Sequence, residues 1–302
     1  MKNILLFGSS TKTGQYIKRI YNLYFQNINL YGFSRTTKDK NYLDLESLFI
    51  HEEMKFKKEF YIVSLAPIWL FVPFLEKYLE KYNKSPIKGI IVTSSTSSIT
   101  KKYSWNEYDK KLTQKLLFWE NKLIALQKKY DLNACLIRPT LIYGDIGEKQ
   151  DKNISILLKV MRNLPYLPIP RNTGMRQPIH YSQLAECIVK VIDNINKNTQ
   201  NSKKLEILNL GGDDELTYFE ILKRIKINCP KKDMAKKCLI IKIPNTIFIF
   251  LCMPILLFSP KFFEALERLI INLNGFKRSH EISGKAKNLF PVKVKISKNK
   301  NA

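Results

Sequence analysis

The N-terminal segment FGSSTKTG (7–14) has the spacing of a phosphate-binding turn. Such a turn uses its first glycine for a tight bend, its middle glycine for close approach of the backbone to a pyrophosphate, and its last for helix packing. Gly8 and Gly14 keep the outer positions, whereas Thr11 stands at the middle one. The Cβ of Thr11 hinders close approach, although its hydroxyl, with Ser10 and the first N–H groups of a helix, still offers hydrogen bonds to phosphate. An ordinary strand-to-helix loop is the alternative interpretation.

The context of this loop favours a dinucleotide. An apolar strand pattern precedes it and a helical pattern follows it, which is the setting that the motif requires. The second strand pattern ends at Ser34-Arg35 rather than at an acidic residue. An acid there would bind a ribose hydroxyl, whereas an arginine pairs with a 2′-phosphate, so Arg35 favours NADP, with NAD as the alternative. Arg35 is equally consistent with an ordinary surface charge.

Four other residues have side chains suited to chemistry. Ser94 and Ser95 end an apolar strand pattern, and ligands of open α/β sheets bind beyond the carboxyl ends of strands, although turn and helix-cap serines are also common there. Arg176 precedes an apolar segment and is expected to pair with a ligand phosphate or with a local carboxylate. His180 is expected to be a packed, hydrogen-bonded histidine. No second ligand is suitably spaced from it, so no metal site is predicted.

The elements that must position these residues alternate between strand and helix patterns, which indicates βαβ units and a parallel sheet. Strands are predicted at 3–7, 29–34, 61–66, 88–95, 132–140 and 205–212, and helices at about 14–25, 69–82, 108–130 and 179–195. The fold class predicted is α/β, a Rossmann-type doubly wound sheet over 1–145. A smaller mixed or helical substrate lobe is expected over 146–302, with segments near 176–212 returning to the main domain.

The composition excludes several classes of protein. At 302 residues and 45% hydrophobic content, the chain can bury a large core. The net charge of +25 comes mostly from scattered lysines, and no aromatic-plus-basic motif accompanies it, so no nucleic-acid partner is predicted. The five cysteines are far apart and lack metal-ligand spacing, which fits a reducing cytoplasm. The first apolar run is too short for a signal peptide.

One apolar segment, residues 238–258, needs separate attention. Its uninterrupted part, 247–258, contains Pro254 and is shorter than the roughly 20 residues that a spanning helix requires. A core or lobe helix is expected here. Because lysines flank the segment, peripheral attachment to a membrane surface is the alternative, so the predicted localisation is cytoplasmic or membrane-peripheral. The sequence leaves the oligomeric state open.

The motifs together resemble the extended and atypical short-chain dehydrogenase/reductase superfamily, which includes NAD-dependent epimerases, dehydratases and ketoreductases of nucleotide sugars. The stretches that carry the resemblance, besides the glycine loop, are YLDL (42–45), VSLAPI (63–68), IIVTSSTSS (90–98) with LIRPTLIYG (136–144), and MRQPIHYSQLAECI (175–188) with LNLGG (208–212). The similarity runs from residue 2 to about residue 215 and is very weak beyond that.

The resemblance implies roles for particular positions. The glycine loop would hold the cofactor pyrophosphate, Asp44 and Leu45 would lie by the adenine, and Ser95 would be the catalytic hydroxyl. The other implied cofactor contacts are Ser64, Leu65, Ala66 and Pro139, and the implied substrate contacts are Arg176, Thr96 and Tyr143. Arg176 would bind a nucleotide-sugar diphosphate.

The chain departs from this family at its acid/base pair, Tyr-x-x-x-Lys. Family spacing counted back from Arg138 puts Lys111 and Lys115 at those places, so that Lys115 would bind the ribose and Lys111 would replace the acid. Spacing counted from Glu120 puts Leu112 and Leu116 there instead. Tyr103, Tyr108 and Tyr143 are nearby substitutes in sequence.

The expected function is therefore that of an NAD(P)-dependent oxidoreductase or epimerase acting on a nucleotide-linked sugar or a similar small molecule. A catalytically inactive NAD(P)-binding regulatory protein is the alternative, because neither register supplies the tyrosine.

Overall fold

The computed structural model describes residues 2–25, 28–34, 59–83, 86–146, 154–197 and 205–294. Its strands are β1 (Lys2–Phe7), β2 (Ile28–Phe33), β3 (Phe60–Ser64), β4 (Ile87–Thr93), β5 (Ala134–Pro139), β6 (Ile142–Tyr143), β7 (Tyr166–Pro170), β8 (Met175–Arg176), β9 (Ile179–His180), β10 (Leu205–Gly211), β11 (Leu216–Thr217), β12 (Leu239–Ile243) and β13 (Lys277–Arg278). Its helices are α1 (Lys12–Tyr24), α2 (Ile68–Tyr82), α3 (Ser97–Thr100), α4 (Glu107–Tyr130), α5 (Ile154–Asn163), α6 (Tyr181–Lys197), α7 (Tyr218–Asn228), α8 (Asn245–Phe258), α9 (Pro260–Glu267) and α10 (Ser279–Ser283).

Seven parallel strands form the central sheet in the order β13-β10-β5-β4-β3-β1-β2. From β2 the chain returns to β3 on the opposite side of β1, so the strand order reverses between β1 and β3. In open α/β sheets the crevice at such a switch point, outside the carboxyl ends of the strands, is where ligands bind. The register pairs Phe7 with both Phe33 and Ser64, so the loops after β1, β2 and β3 leave the sheet side by side.

Helices cover both faces of this sheet, as the near-continuous apolar strands β1, β3 and β4 require. On one face α2 and α4 pack against residues such as Phe7, Ile62 and Val92. On the other face α1 and α6 pack against residues such as Ile4, Val63 and Ile91. The predicted Rossmann-type α/β fold is confirmed, and the predicted strands up to residue 212 correspond to β1, β2, β3, β4, β5 and β10.

A smaller lobe follows β5, with a core formed by α5, α7, the 3-10 helix Met234–Lys236 and short strand pairs. Here β7 pairs with β12, β8 with β11, and β6 with β9. The chain does not stay in this lobe, because β10 and β13 add to the central sheet and α6 packs beneath it. The sequence patterns predicted none of the elements after residue 215 except a helix near 247–258.

A buried polar cluster joins α4 to α9. Asp109 at the start of α4 is fully buried and pairs with Lys101 at 2.7 Å and with Arg268 at 2.8 Å, just beyond α9. Glu264 of α9 accepts hydrogen bonds from Ser104 and from the amide of Asn106. Burial raises the pKa of Asp109, but the hydrogen bonds from these cations and from Asn106 outweigh it and lower the pKa to about 2.

The apolar segment 238–258 differs from the expected single core helix. Pro244 divides it into the strand β12 and the helix α8. Only Phe248 and Cys252 of α8 are buried, and most of its other apolar side chains face solvent. Within the described ranges, no helix combines the length and the apolar character needed to cross a bilayer.

Candidate functional site

A cavity of about 660 Å³ opens at the switch point, beyond the carboxyl ends of β1, β3, β4 and β5. Its volume lies within the roughly 300–1,000 Å³ typical of small-molecule sites. The glycine loop and the first turn of α1 form one wall, and the segment after β3 forms the next. The ends of β4 and β5, the inner face of α4 and the start of α6 complete it.

The glycine loop is a tight turn that depends on both outer glycines. Gly8 has φ +79°, a left-handed conformation that disfavours other residues. A Cβ on Gly14 would lie 2.6 Å from the carbonyl oxygen of Gly8, so only glycine allows α1 to approach the loop this closely. Ser10, Lys12 and Thr13 line the cavity beside the N-terminus of α1, where the helix dipole favours an anion.

Thr11 also lines the cavity, but its hydroxyl is used within the loop. The hydroxyl donates to the carbonyl of Gly8 over 2.8 Å and accepts from the amide of Gly14 over 3.1 Å, so Thr11 is the N-cap of α1. The expectation that this hydroxyl offers a hydrogen bond to phosphate is therefore corrected, because its only proton is already donated. The side chain turns back onto the loop.

Leu65 and Ala66, which follow β3 and for which the resemblance implied a cofactor contact, line the cavity. The amide of Leu65 donates to the carbonyl of Phe7 over 2.9 Å, which fixes this segment beside the glycine loop. Ser64 is the last residue of β3 and lies one residue before the segment that lines the cavity. It is fully buried in the strand, is absent from the cavity wall, and its hydroxyl has no hydrogen-bond partner among the residues that the structure describes.

The serine run after β4 divides into residues that face the cavity and residues that hold the turn. Ser95 lines the cavity, and its Oγ accepts from the amide of Ser97 over 3.1 Å. Within the described part of the chain, no acceptor takes the proton of the Ser95 hydroxyl, so Ser95 can donate toward the cavity. Thr96, predicted to contact substrate, is buried and donates to the carbonyl of Pro139 over 3.2 Å instead.

Two leucines of α4 occupy the cavity wall. Leu112 and Leu116 both line it, which agrees with the family spacing counted from Glu120. Lys111 and Lys115 are exposed and are absent from the wall. Lys115 lies nearest, with its Nζ 4.5 Å from the ring centroid of Trp69 at the cavity margin. The geometry therefore opposes the predicted roles of both lysines.

The segment after β5 contributes Pro139 and Tyr143 to the wall. Tyr143 is buried, and its hydroxyl accepts a hydrogen bond from the amide of Val292 over 3.0 Å. Burial raises the pKa of the Tyr143 hydroxyl, which this amide partly counteracts. Tyr103 and Tyr108 are exposed and do not line the cavity.

Arg176 does not reach this cavity. Its guanidinium donates to the backbone carbonyls of Met175 and Ile271, at 2.8 and 2.5 Å, and to that of Arg268. Its ring contact is with Tyr218, 5.2 Å from the guanidinium carbon to the centroid. Burial lowers the pKa of Arg176. The prediction that Arg176 binds a diphosphate is corrected, because its donors already hold the segment after α9.

Sequence reasoning missed Tyr181, the first residue of α6, which lines the cavity. Its hydroxyl donates to Asp145 over 3.0 Å, and Lys12 lies 5.5 Å from its ring centroid. Burial and the bond to Asp145 raise the pKa of the Tyr181 hydroxyl. The adjacent His180 is fully buried, with Nδ1 2.7 Å from Ser182 Oγ. The HY pair following an apolar strand was the available signal for this cluster.

Three predicted cofactor contacts, Arg35, Asp44 and Leu45, lie outside the described residues. Among the residues that are described, no group of three or more histidine, cysteine or carboxylate side chains could hold a metal ion. All five cysteines are buried and free.

No protein-family model matches the chain, and no curated protein matches its sequence. Solved structures do match its fold. The chain is similar to UDP-N-acetylglucosamine 4-epimerase from Bacillus cereus, with 18% identity, a TM-score of 0.57, and coverage of 80% of this chain and 86% of that one. A human epimerase family protein solved with NADPH has 11% identity and a TM-score of 0.60, and 94% of each chain is covered.

A third similar structure is the GDP-mannoheptose C4 reductase from Campylobacter jejuni with NADP bound, at 13% identity and a TM-score of 0.56. The match covers 80% of this chain and 88% of that one. At such identities the likeness shows the fold, and it agrees with the Rossmann-type architecture described above.

Proposed function

We propose that the cavity binds a nicotinamide dinucleotide, with the paired phosphates against the 8–14 loop and the N-terminus of α1. The observation that carries this proposal is the geometry of the loop. Gly8 adopts a left-handed conformation and Gly14 leaves no room for a side chain, while the first turn of α1 opens onto the cavity of about 660 Å³ at the switch point of the sheet. A helix N-terminus in this place favours phosphate.

The other walls fit the rest of such a ligand. Leu65 and Ala66 would contact its ribose, and Pro139 would flank the nicotinamide. When bound, the dinucleotide supplies or accepts a hydride at its nicotinamide. NADP is favoured over NAD by Arg35 alone, which lies outside the described residues. The fit of the loop is independent of that choice.

We propose further that the protein is an oxidoreductase or epimerase acting on a nucleotide-linked sugar or a similar small molecule. Ser95 would donate a hydrogen bond to the reacting oxygen of the substrate, because its proton is not used elsewhere among the described residues and its Oγ is held by the amide of Ser97. Apolar Leu112 and Leu116 would exclude water from the same wall. The solved structures of this fold named above include an epimerase and a reductase.

A catalytically inactive dinucleotide-binding protein is the second candidate, and a specific observation favours it. The two positions of α4 that face the cavity beside Ser95 are Leu112 and Leu116, neither of which can transfer a proton. Of the two tyrosines in the cavity wall, Tyr181 donates its hydroxyl proton to Asp145, and Tyr143 is buried with its hydroxyl accepting from the amide of Val292.

Titration calorimetry with NADPH and NADH tests the binding proposal. Ala66→Trp places a large ring in the cavity and should abolish the binding heat. Ala265→Trp makes the same change at an exposed position on α9 and should leave binding intact. The proposal is wrong if the wild-type protein gives no heat with either nucleotide, or if Ala66→Trp binds as the wild type does.

Nicotinamide absorbance then separates the two candidates. The protein is incubated with NADPH and a panel of 4-keto nucleotide sugars, and with NAD and the corresponding alcohols. Consumption that Ser95→Ala abolishes, with dinucleotide affinity unchanged, supports the enzyme. Binding without consumption across the panel supports the inactive binding protein.

A further inference from the structure

Helix α8 and the start of α9 expose an unusual amount of apolar surface. Phe250 of α8 is 71% exposed, and at its C-terminal end Leu257 and Phe258 are 84% and 88% exposed. Phe262 of α9 lies just beyond and is 55% exposed. Soluble proteins rarely expose large contiguous apolar patches, and the patches that they do expose mark sites of contact with a protein or a membrane. We call the exposed side chains of α8 and of Phe262 the apolar tip.

The apolar tip belongs to a firmly packed helical pair. The opposite face of α8 places Phe248 and Cys252 against Phe263 of α9, which forms a small core of its own. Beyond it, the polar cluster of Asp109, Glu264 and Arg268 fixes α9 to α4. The apolar tip is therefore held by a packed pair of helices, and its side chains are not buried against other described residues.

The chain segment that carries the apolar tip contains only basic charged residues. No aspartate or glutamate occurs between Asp233 and Glu264, whereas this stretch contains Lys236, Lys237, Lys242 and Lys261. Lys242 and Lys261 flank α8 on either side and are exposed. Anionic lipid attracts such a basic rim, while a second copy of this protein, with its net charge of +25, would be repelled by it.

A groove of about 540 Å³ lies between α7 and β12, the strand that precedes α8. The groove is lined by Lys223, Lys226 and Lys236 and by apolar residues that include Phe219 and Leu239. Lys226 is bonded to the carbonyl of Cys238, which leaves the other two lysines to meet an anionic headgroup. Leu239 itself is exposed on the strand that leads into α8, so the groove and the apolar tip are carried by consecutive elements of the chain.

We infer that this surface attaches the protein to an anionic phospholipid bilayer, with the apolar tip inserted among the lipids and the lysines at the headgroups. At about 1.5 Å per residue the 14-residue α8 is about 21 Å long, which is short of the roughly 30 Å hydrocarbon core. It can therefore lie in the interface but not cross it. This inference does not depend on dinucleotide binding, because no residue of α8 or α9 lines the cavity at the switch point.

Vesicle co-sedimentation of the full chain tests the inference. The wild-type protein should sediment with vesicles of phosphatidylcholine and phosphatidylglycerol, and much less with phosphatidylcholine alone. Leu257→Glu combined with Phe258→Glu should lower the partition coefficient at least about tenfold, because two apolar side chains are lost from the interface. Tyr24→Glu with Phe118→Glu makes the same charge change at exposed aromatic positions of the main domain and should have a much smaller effect.

A lysine variant and a folding control complete the test of membrane attachment. Lys223→Gln with Lys236→Gln should weaken binding to the anionic vesicles only. Circular dichroism melting curves should show that every variant folds, since all the substituted side chains except that of Lys236 are exposed. The inference is overturned if the wild type stays in the supernatant with anionic vesicles, or if the paired glutamates do not weaken its binding. A wild-type dimer that the glutamates dissociate, without any vesicle binding, would assign the apolar tip to a second copy instead.

Discussion

The hydroxyl of Ser94 donates to Oε1 of Glu120 over 2.6 Å, and this contact determines which face of α4 meets the cavity. Arg138 of β5 binds the same carboxylate through Nη2 at 2.5 Å and Nε at 3.1 Å. Glu120 is thereby fixed at the ends of β4 and β5. Residues four and eight positions earlier lie on the same face of a helix, so Leu116 and Leu112 must face the cavity.

Removing this carboxylate should destabilise the protein strongly. In Glu120→Ala the guanidinium of Arg138, only 14% exposed, loses its carboxylate partner, and breaking a largely buried pair in this way costs about 3–5 kcal/mol. Glu107→Ala, on the exposed first turn of the same helix, should cost only about 0–1 kcal/mol. Urea unfolding measures both. Equal losses in the two variants would show that the Ser94–Glu120–Arg138 contact does not hold the helix.

The N-cap role of Thr11 gives a second prediction. Thr11→Gly should cost only a few tenths of a kcal/mol, whereas Thr11→Val should cost about 1 kcal/mol, because valine cannot accept the hydrogen bond from Gly14 and glycine is a tolerated cap. If phosphates meet this loop, Thr11→Gly should also bind NADPH at least as tightly as the wild type, since it removes the Cβ at the middle position. Thermal melting and calorimetry give the two readouts, and a glycine variant that loses NADPH binding would contradict the proposed phosphate position.

His180 should make stability depend on mildly acidic pH. Burial lowers the pKa of His180 and Lys12 adds to this effect, whereas Asp145, 3.7 Å from Nε2, raises the pKa; the net result is a pKa of about 4. An unfolded histidine titrates near 6.5, so between about pH 6.5 and 4 the unfolded chain binds the proton and the folded protein does not. Stability should therefore fall as the pH drops through this window, by an amount on the order of 3 kcal/mol.

The matched variant for this effect is His180→Gln, which cannot titrate. Urea midpoints measured at several pH values should give a flatter profile for the variant than for the wild type, because the carboxylates common to both contribute equally. Superimposable profiles would show that His180 is not the group responsible.

The sequence predicted what local patterns encode. The β1 strand, the glycine turn and α1 follow from residues within about twenty positions, and the central-sheet strands β1, β2, β3, β4, β5 and β10 are each readable alone. The surroundings of Arg176 could not be read from a local pattern, because its acceptor carbonyls lie 92 and 95 residues further along the chain. After residue 215 the elements are short, such as the two-residue β11, and the apolar residues of β12 are mostly exposed, so neither gives a clear period.

The register of α4 shows the same limit at the site itself. Counting from Arg138 and counting from Glu120 gave answers one residue apart, and one residue turns a helix by about 100°. Only the long-range contacts of Glu120 with Ser94 and Arg138 choose between them. This is why the lysines predicted for catalysis are exposed while the leucines beside them line the cavity.

Leu112→Tyr therefore tests the register and the chemistry together. It places a phenol in the cavity wall at the position that the family resemblance gives to a tyrosine, and we expect it to introduce or raise NADPH consumption with a 4-keto nucleotide sugar. Lys111→Tyr is the matched control, because it adds the same side chain one residue away, where the helix faces solvent. Absorbance assays at equal dinucleotide saturation compare the two variants. A gain in Lys111→Tyr but not in Leu112→Tyr would reverse the register, whereas no gain in either would show that a phenol on this wall is insufficient for turnover.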